Sequence, residues 1–216
     1  MGREQVKSSA ASFLQLCRSQ LSEDGSYSGG VAIVTSDFLR ARETAEIFHQ
    51  SLAVGLIPMV FLSSDNSGSN ITTAGCEESP RIDVRLRERY FGQWNGGPDS
   101  GYQEVWAGDA IDADQITGCV ESVNDVMRRT TKLILDLEDE LSQIQERSGQ
   151  GTDDSIDDSG MPACMPSLKC ILVAHGDVLQ ILQTAFQKKD GSVHRSLEHL
   201  ETATVRRLEL TQDGGT

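Results

Sequence analysis

The sequence predicts an α/β domain built on a mostly parallel sheet, and three observations lead there. Two short apolar runs, Val31-Ala32-Ile33-Val34 and Cys170-Ile171-Leu172-Val173-Ala174, read as strands buried on both faces. Each passes within a few residues into a segment of helical apolar periodicity, the strand-to-helix order that produces parallel sheets. With 216 residues and no break in composition, the chain is expected to form a single domain over 1–216.

In order along the chain, Val6, Ala10, Phe13, Leu14, Cys17 and Leu21 fall at helical spacing within 3–21, one apolar stripe on an otherwise polar helix. The strand at 31–34 ends at Thr35-Ser36-Asp37, where Ser36 or Asp37 can cap the following helix. That helix shows Phe38, Ala41, Ala45, Phe48 and Leu52 at steps of three and four. A second short strand is expected near 57–62. It leads into a polar segment over 63–80, which is expected to be a disordered loop. Helical periodicity returns from Val123 through Val126, Thr130, Leu133, Leu137, Leu141 and Ile144, with charged residues on the other face. Gly, Ser, Asp and Pro then dominate 145–167, a second expected disordered loop. After the strand at 170–174 and His175-Gly176-Asp177 comes the apolar helix VLQILQTAF. Apolar and charged residues alternate from Thr204 to Leu210, the pattern of an edge strand.

Composition excludes several classes of function. The formal charge of −14 opposes association with phosphate backbones or an anionic membrane surface, so neither nucleic acid nor a membrane is an expected partner. No apolar run approaches the roughly 20 residues needed to span a bilayer. Five scattered cysteines without C-x-x-C spacing point to reduced thiols in a cytoplasmic protein, and MGREQVKSSAASF has no apolar signal core. A targeting segment upstream of this sequence would leave no trace in it. Asn70-Ile71-Thr72 matches a glycosylation acceptor that lacks a secretory context. The sequence holds no G-x-x-x-x-G-K-S/T, no G-x-G-x-x-G after a strand and no G-x-S-x-G. Its four histidines, His49, His175, His194 and His199, lack metal-site spacing.

Chemistry is expected where parallel strands end, because helix N-termini there offer free N–H groups and partial positive charge. SDFLRARETA places Arg40 and Arg42 in the opening turn of a helix, where a cation opposes the dipole by about 0.3–1 kcal/mol unless an anion binds. Two solvated arginines and an anion site both fit that segment. AHGDV puts His175 at a strand tip before a glycine that allows a sharp turn. His175 fits a structural as well as a catalytic role, and it converges with Arg40 if the two strands share a sheet. In RLRERYFGQWNGG, Glu88 stands between Arg87 and Arg89 with aromatic rings close behind. Desolvation by the rings raises a carboxyl pKa and the arginines lower it, two opposing pushes.

Taken together these segments resemble the histidine phosphatase superfamily, its phosphoglycerate-mutase-like branch. SDFLRARETA resembles the family's S-D-x-x-R-A-x-x-T-A helix start, LRERYFGQWNG its L-R-E-R-x-F-G-x-W-E-G segment, and LVAHGDVLQILQT its second-histidine strand. Weaker similarity lies in GYQEVWAGDA, CVESVNDVMRR and GREQV. The resemblance implies a three-layer α/β/α sandwich and a phosphomonoesterase that needs no metal or other cofactor. It implies that Arg40 clamps the phosphoryl oxygens, that His175 stabilises the same group, and that Glu88 is first general acid and then general base. The implied substrate is a small phosphorylated metabolite or a phosphoprotein.

One departure is large. Family members begin with a central strand ending in R-H-G, whose histidine becomes phosphohistidine, and this sequence contains no R-H-G. GREQV resembles the helix that follows that strand, so the chain is expected to be a truncated form beginning downstream of it. A sheet without its first central strand would leave buried edge groups unpaired, each costing about 1–3 kcal/mol. The complete product is then expected to be a phosphatase acting through phosphohistidine, and the chain as given to be inactive. The alternative is a non-catalytic relative that binds phosphorylated ligands or a protein partner; a mutase is a weaker third option.

Overall fold

The computed structural model describes residues 2–19, 29–62, 80–149 and 167–210. It confirms the α/β class: a parallel open sheet in the order β2-β1-β3, connected through helices. The chain forms two compact units, each assembled from two segments. The first comprises Met1–Asp83 and Leu135–Val173, and the second Val84–Ile134 and Ala174–Thr216.

In the first unit the expected opening helix is α1, Gly2–Arg18, which buries Val6, Ala10 and Cys17 along the anticipated stripe. Strand β1, Gly29–Thr35, is the seven-residue centre of the sheet and is buried from Gly30 onward. Its β-branched and small side chains fit a position covered on both faces. It pairs in parallel with β3, Ser167–Val173, from Gly29 opposite Ser167 to Thr35 opposite Val173. The Ser36 N–H donates to the Val173 carbonyl at 3.0 Å and extends that ladder by one bond. Helix α2, Leu39–Val54, turns back over the strands and buries Ala41, Ala45, Phe48 and Leu52, the residues its periodicity singled out. α1 packs on α2, with the Phe13 and Phe48 rings edge to face at 6.5 Å.

Two expected strands are corrected. Among the described residues the segment at 57–62 makes only one isolated bridge, Met59 opposite Val31. The Val31 N–H donates to the Pro58 carbonyl and the Val60 N–H to the Val31 carbonyl, at 2.9 and 3.0 Å. Proline has no N–H to continue a ladder. β1 is instead flanked beyond this point by the two-residue strand β2, Arg81–Ile82. Residues 204–210 form no strand, because among the described residues nothing pairs with them and almost all are exposed. Arg206 holds this segment by donating to Gln183 Oε1 at 2.6 Å and to the Glu198 and His199 carbonyls at 2.7 and 3.1 Å.

The other unit contains helix α3, Asp99–Asp109, a segment whose helical character the sequence does not reveal. The long helix α4 runs from Val123 to Gly149, so 145–149, expected as loop, continues the helix. Ser122 caps it: its Oγ accepts from the Asp125 N–H at 3.1 Å and donates to the Asp125 carboxylate at 2.9 Å. That hydrogen bond, with Arg128 beside it, holds the Asp125 carboxyl below its usual range. Helix α5, Gly176–Phe186, buries Val178, Ile181 and Leu182, and Val178 and Ile181 pack against Val123 and Val126 of α4. The loops expected at 63–80 and 145–167 otherwise lie, at 63–79 and 150–166, outside the described residues, as does the Asn70 acceptor motif. Among the described residues no helix is long and apolar enough to cross a membrane.

In the first unit, Arg81 ties β2 to the C-terminal half of α4, donating to Glu140 at 2.7 Å and to Asp83 at 3.3 Å. Burial pushes the nearby Cys170 thiol up to about 12, so it stays neutral and acts as a small apolar residue.

Candidate active site

Arg40 lies in the first unit, in the opening turn of α2, five residues beyond the end of β1. Its guanidinium carbon sits 5.2 Å from the centre of the exposed Phe38 ring, a cation–π contact that holds the arginine at the helix start. The first turn contains no acidic residue, and Phe38 at the cap position offers no side-chain acceptor. Phe38, and not Ser36 or Asp37 as expected, takes the cap position, and Ser36 Oγ accepts from the Phe38 N–H at 3.3 Å, ahead of the helix's own N–H groups. Arg40 and Arg42 stand in the opening turn with Asp37 directly before the cap, and the two guanidinium groups at a helix N-terminus suit an anion.

In the second unit the structure brings Glu88 and His175 together. Glu88 Oε2 is 3.8 Å from His175 Nδ1, with the imidazole nearly fully buried and the carboxylate about a quarter exposed. His175 caps α5 in extended backbone, two residues beyond the end of β3. Its carbonyl accepts the first helical bond, from the Leu179 N–H at 2.9 Å. The other carboxylate oxygen of Glu88 accepts from the Arg89 N–H at 3.1 Å, which fixes the head group. One oxygen is thus held by backbone while the other faces the histidine.

Behind this pair lies a buried ionic cluster that sequence reasoning misses. The Arg89 guanidinium is fully buried and donates to both oxygens of Asp109, at 2.6 and 2.8 Å. It also donates to the Glu121 carbonyl at 2.7 Å and to Asp177 Oδ2 at 3.3 Å. Trp106 Nε1–H donates to Asp177 Oδ1 at 3.1 Å, and Gln115 donates to Asp109 at 2.9 Å. Arg195 stacks on Trp106 with its guanidinium carbon 3.9 Å from the ring centre, and stands 3.7 Å from Asp177. Two guanidinium groups therefore face two carboxylates, which is what makes burial of the charges tolerable.

His194 completes the cluster. Its Nδ1 is 3.0 Å from the Gly191 carbonyl, while its buried Nε2 has no hydrogen-bond partner among the described residues and stands 3.7 Å from Asp177 and 3.9 Å from Asp109. Burial alone would raise the Asp177 carboxyl, but the nearby His194 ring and the Arg89 guanidinium outweigh it and hold the group below its ordinary value. Arg89 responds in the opposite direction: burial would lower it, and the two carboxylates hold it above the usual value.

A carboxyl depressed by folding stabilises the protein above its ordinary pKa, near 3.8, and loses that contribution as pH falls through the lower folded value. Urea unfolding between pH 2 and 6 is therefore expected to show stability falling below about pH 4, with a shallower fall in Asp177→Asn. Equal slopes in the two proteins would show that Asp177 does not drive the acid response.

Nothing local in the sequence signals this cluster. Asp109 ends α3, Asp177 opens α5 and His194 sits in the 3-10 turn Gly191–Ser196, so only tertiary structure assembles them. RLRERYFGQWNGG reads as a charged loop, yet Arg89 is among the most buried large side chains. Among the described residues no three or more His, Cys, Asp or Glu side chains are grouped to hold a metal ion.

No family profile matches the chain, and no curated protein sequence does. Solved structures do. The native structure of a mycobacterial glucosyl-3-phosphoglycerate phosphatase is similar at a TM-score of 0.55 and 22% identity, over 94% of this chain and 74% of that one. The structure of mycobacterial hydrolase 1 gives 0.56 and 20%, over 94% and 72%. The YhfR protein of Bacillus stearothermophilus gives 0.50 and 21%, over 94% and 73%. At these identities the chain shares the fold of these proteins, an α/β fold over an open parallel sheet.

Proposed function

We propose that this chain carries the phosphate-binding and proton-transfer residues of a metal-independent histidine phosphatase of the phosphoglycerate-mutase-like branch, the whole chain acting as one domain. Arg40 and His175 hold the phosphoryl group of a small phosphorylated metabolite or a phosphoprotein. Glu88 gives its proton to the leaving oxygen as the nucleophilic histidine's N–P bond forms and the ester P–O bond breaks. Its carboxylate then takes a proton from the water that attacks phosphorus as the N–P bond breaks. The observation that carries the reading is the approach of Glu88 to His175 at 3.8 Å, two motif residues 87 positions apart in sequence. Further support comes from β1 and β3, which run parallel in register and lead within a few residues to Arg40 and His175 respectively. The shared fold with a glucosyl-3-phosphoglycerate phosphatase supports it also.

The nucleophile of that branch is the histidine of an R-H-G motif, and this sequence contains no R-H-G. The chain as given is therefore expected to bind phosphate without forming phosphohistidine. The same absence favours a second reading, a non-catalytic relative that retains the phosphate site to bind phosphorylated ligands or a partner.

Calorimetric titration with inorganic vanadate, a mimic of phosphoryl transfer, tests the shared core of both readings. A charge-assisted hydrogen bond contributes about 1.5–3 kcal/mol, so Arg40→Ala is expected to weaken binding by about tenfold to a hundredfold. Equal affinity in the two proteins would contradict it. Both readings expect no turnover of p-nitrophenyl phosphate by the chain as given; turnover that is lost in Glu88→Ala would rule out the non-catalytic reading and the expected inactivity with it.

A further inference from the structure

Four side chains of the second unit close a ring whose members lie one or two residues apart, in pairs, along the chain. Glu88 precedes Arg89, and His175 stands two residues before Asp177. Across the ring Glu88 Oε2 faces His175 Nδ1 at 3.8 Å, and the Arg89 guanidinium reaches Asp177 Oδ2 at 3.3 Å. The Glu88–His175 half, with the carboxylate part-exposed and the imidazole buried, is the pair assigned to chemistry. The buried half is a charge-assisted contact whose other bonds go inward, to Asp109, to the Glu121 carbonyl and to Trp106.

We propose that Arg89 and Asp177 are positioning residues, whose buried contact locks peptide 88–89 to the turn at 175–177 and so holds the Glu88 carboxylate against the His175 imidazole. This deepens the phosphatase reading, on which the roles of Glu88 and His175 rest.

Three features assign that task to this contact. Arg89 acts on Glu88 twice, through its backbone N–H, which fixes Oε1 at 3.1 Å, and through the side chain that anchors the same residue's backbone. The anchor cannot drift: the guanidinium fork is gripped on both arms by Asp109 and through Nε by the Glu121 carbonyl. Asp177 is in the first turn of α5, where a carboxylate is favoured by the helix dipole, and Trp106 and Arg195 hold its other oxygen. The strand end at His175 and the loop at Glu88 are thereby referred to one rigid point. A catalytic pair on a loop and a helix cap would otherwise be as loose as its supports.

The test is a spectroscopic double-mutant cycle on the full chain, read from the ring ¹H–¹³C signals of His175. Glu88→Gln is expected to shift those signals in the parent protein. In Asp177→Asn the same change is expected to leave them unmoved, because the carboxylate no longer faces the ring. A merely structural role for Asp177 would not abolish that coupling. An equal shift in both backgrounds would overturn the proposal. Should Asp177→Asn fail to fold, Arg89→Lys keeps the charge and loses the fork, and the same loss of coupling is expected there; a full shift in Arg89→Lys would overturn it equally. Inorganic phosphate added to the parent protein reads the underlying assignment separately. Absence of any phosphate-dependent change at His175, with the cycle intact, would remove the phosphatase reading and leave the positioning contact standing.

Discussion

Arg89→Met is expected to lower the unfolding free energy by about 3–5 kcal/mol, more than any other single substitution proposed for this chain. The reason is not that the ion pairs are intrinsically strong. Desolvating charges offsets most of what their attraction returns, so an intact buried pair contributes little net stability. What the substitution does is leave Asp109 fully buried with Gln115 as its remaining hydrogen-bond donor among the described residues, and Asp177 with Trp106 and, each at 3.7 Å, His194 and Arg195. Against a total stability of about 5–15 kcal/mol for an ordinary domain, that is a large fraction. Urea unfolding at neutral pH measures it. The double substitution Arg89→Met with Asp109→Leu is expected to recover part of the loss, since the orphaned carboxylate goes with the arginine. A loss below about 1 kcal/mol in the single variant would place Arg89 with ordinary surface ion pairs.

Gly92→Ala is expected to be the second most damaging change. Gly92 has a φ of +53°, and a Cβ there would overlap the Gly118 carbonyl oxygen and lie 2.7 Å from the Cys119 carbonyl carbon. Both obstacles are backbone, so no rotamer change relieves them. Overpacking and backbone strain each cost about 1–3 kcal/mol, and here they act together. Gly96 separates the two: its φ is +77° and an added Cβ would meet none of the described residues within 4 Å, so Gly96→Ala should lose only the strain, about 1–2 kcal/mol. Equal losses at Gly92 and Gly96 would show that the loops carrying Gly92 and Gly118 part easily. The contact matters for the site because Gly92 follows the Glu88–Arg89 segment, with Phe91 packed on Tyr102 at 4.4 Å between ring centres.

Elements with strong periodicity are legible in the sequence. The apolar steps of α1, α2 and α4 and the β-branched run of β1 each name residues that the fold buries. Elements that exist only through a partner are not. The 57–62 segment has strand-like composition, but Pro58 removes a donor from the ladder. The 204–210 segment has a clean alternation and no neighbour among the described residues to pair with. Within the site, the motif residues Glu88 and His175 are readable because each sits in a patterned segment. Arg89 reads as a charged neighbour of Glu88, whereas three carbonyl or carboxylate partners from distant segments bury it. Tertiary charge pairing has no period, which is why Asp109, Asp177 and His194 stay invisible until the chain is folded.

If Arg40, Glu88 and His175 serve one phosphoryl group, a crystal structure of the chain with bound vanadate will show all three around it. Vanadate oxygens are expected within about 2.7–2.9 Å of the Arg40 guanidinium and of a His175 ring nitrogen, with Glu88 beside the apical oxygen. Vanadate bound elsewhere, or held by His175 while Arg40 points to a different face, would refute the shared site.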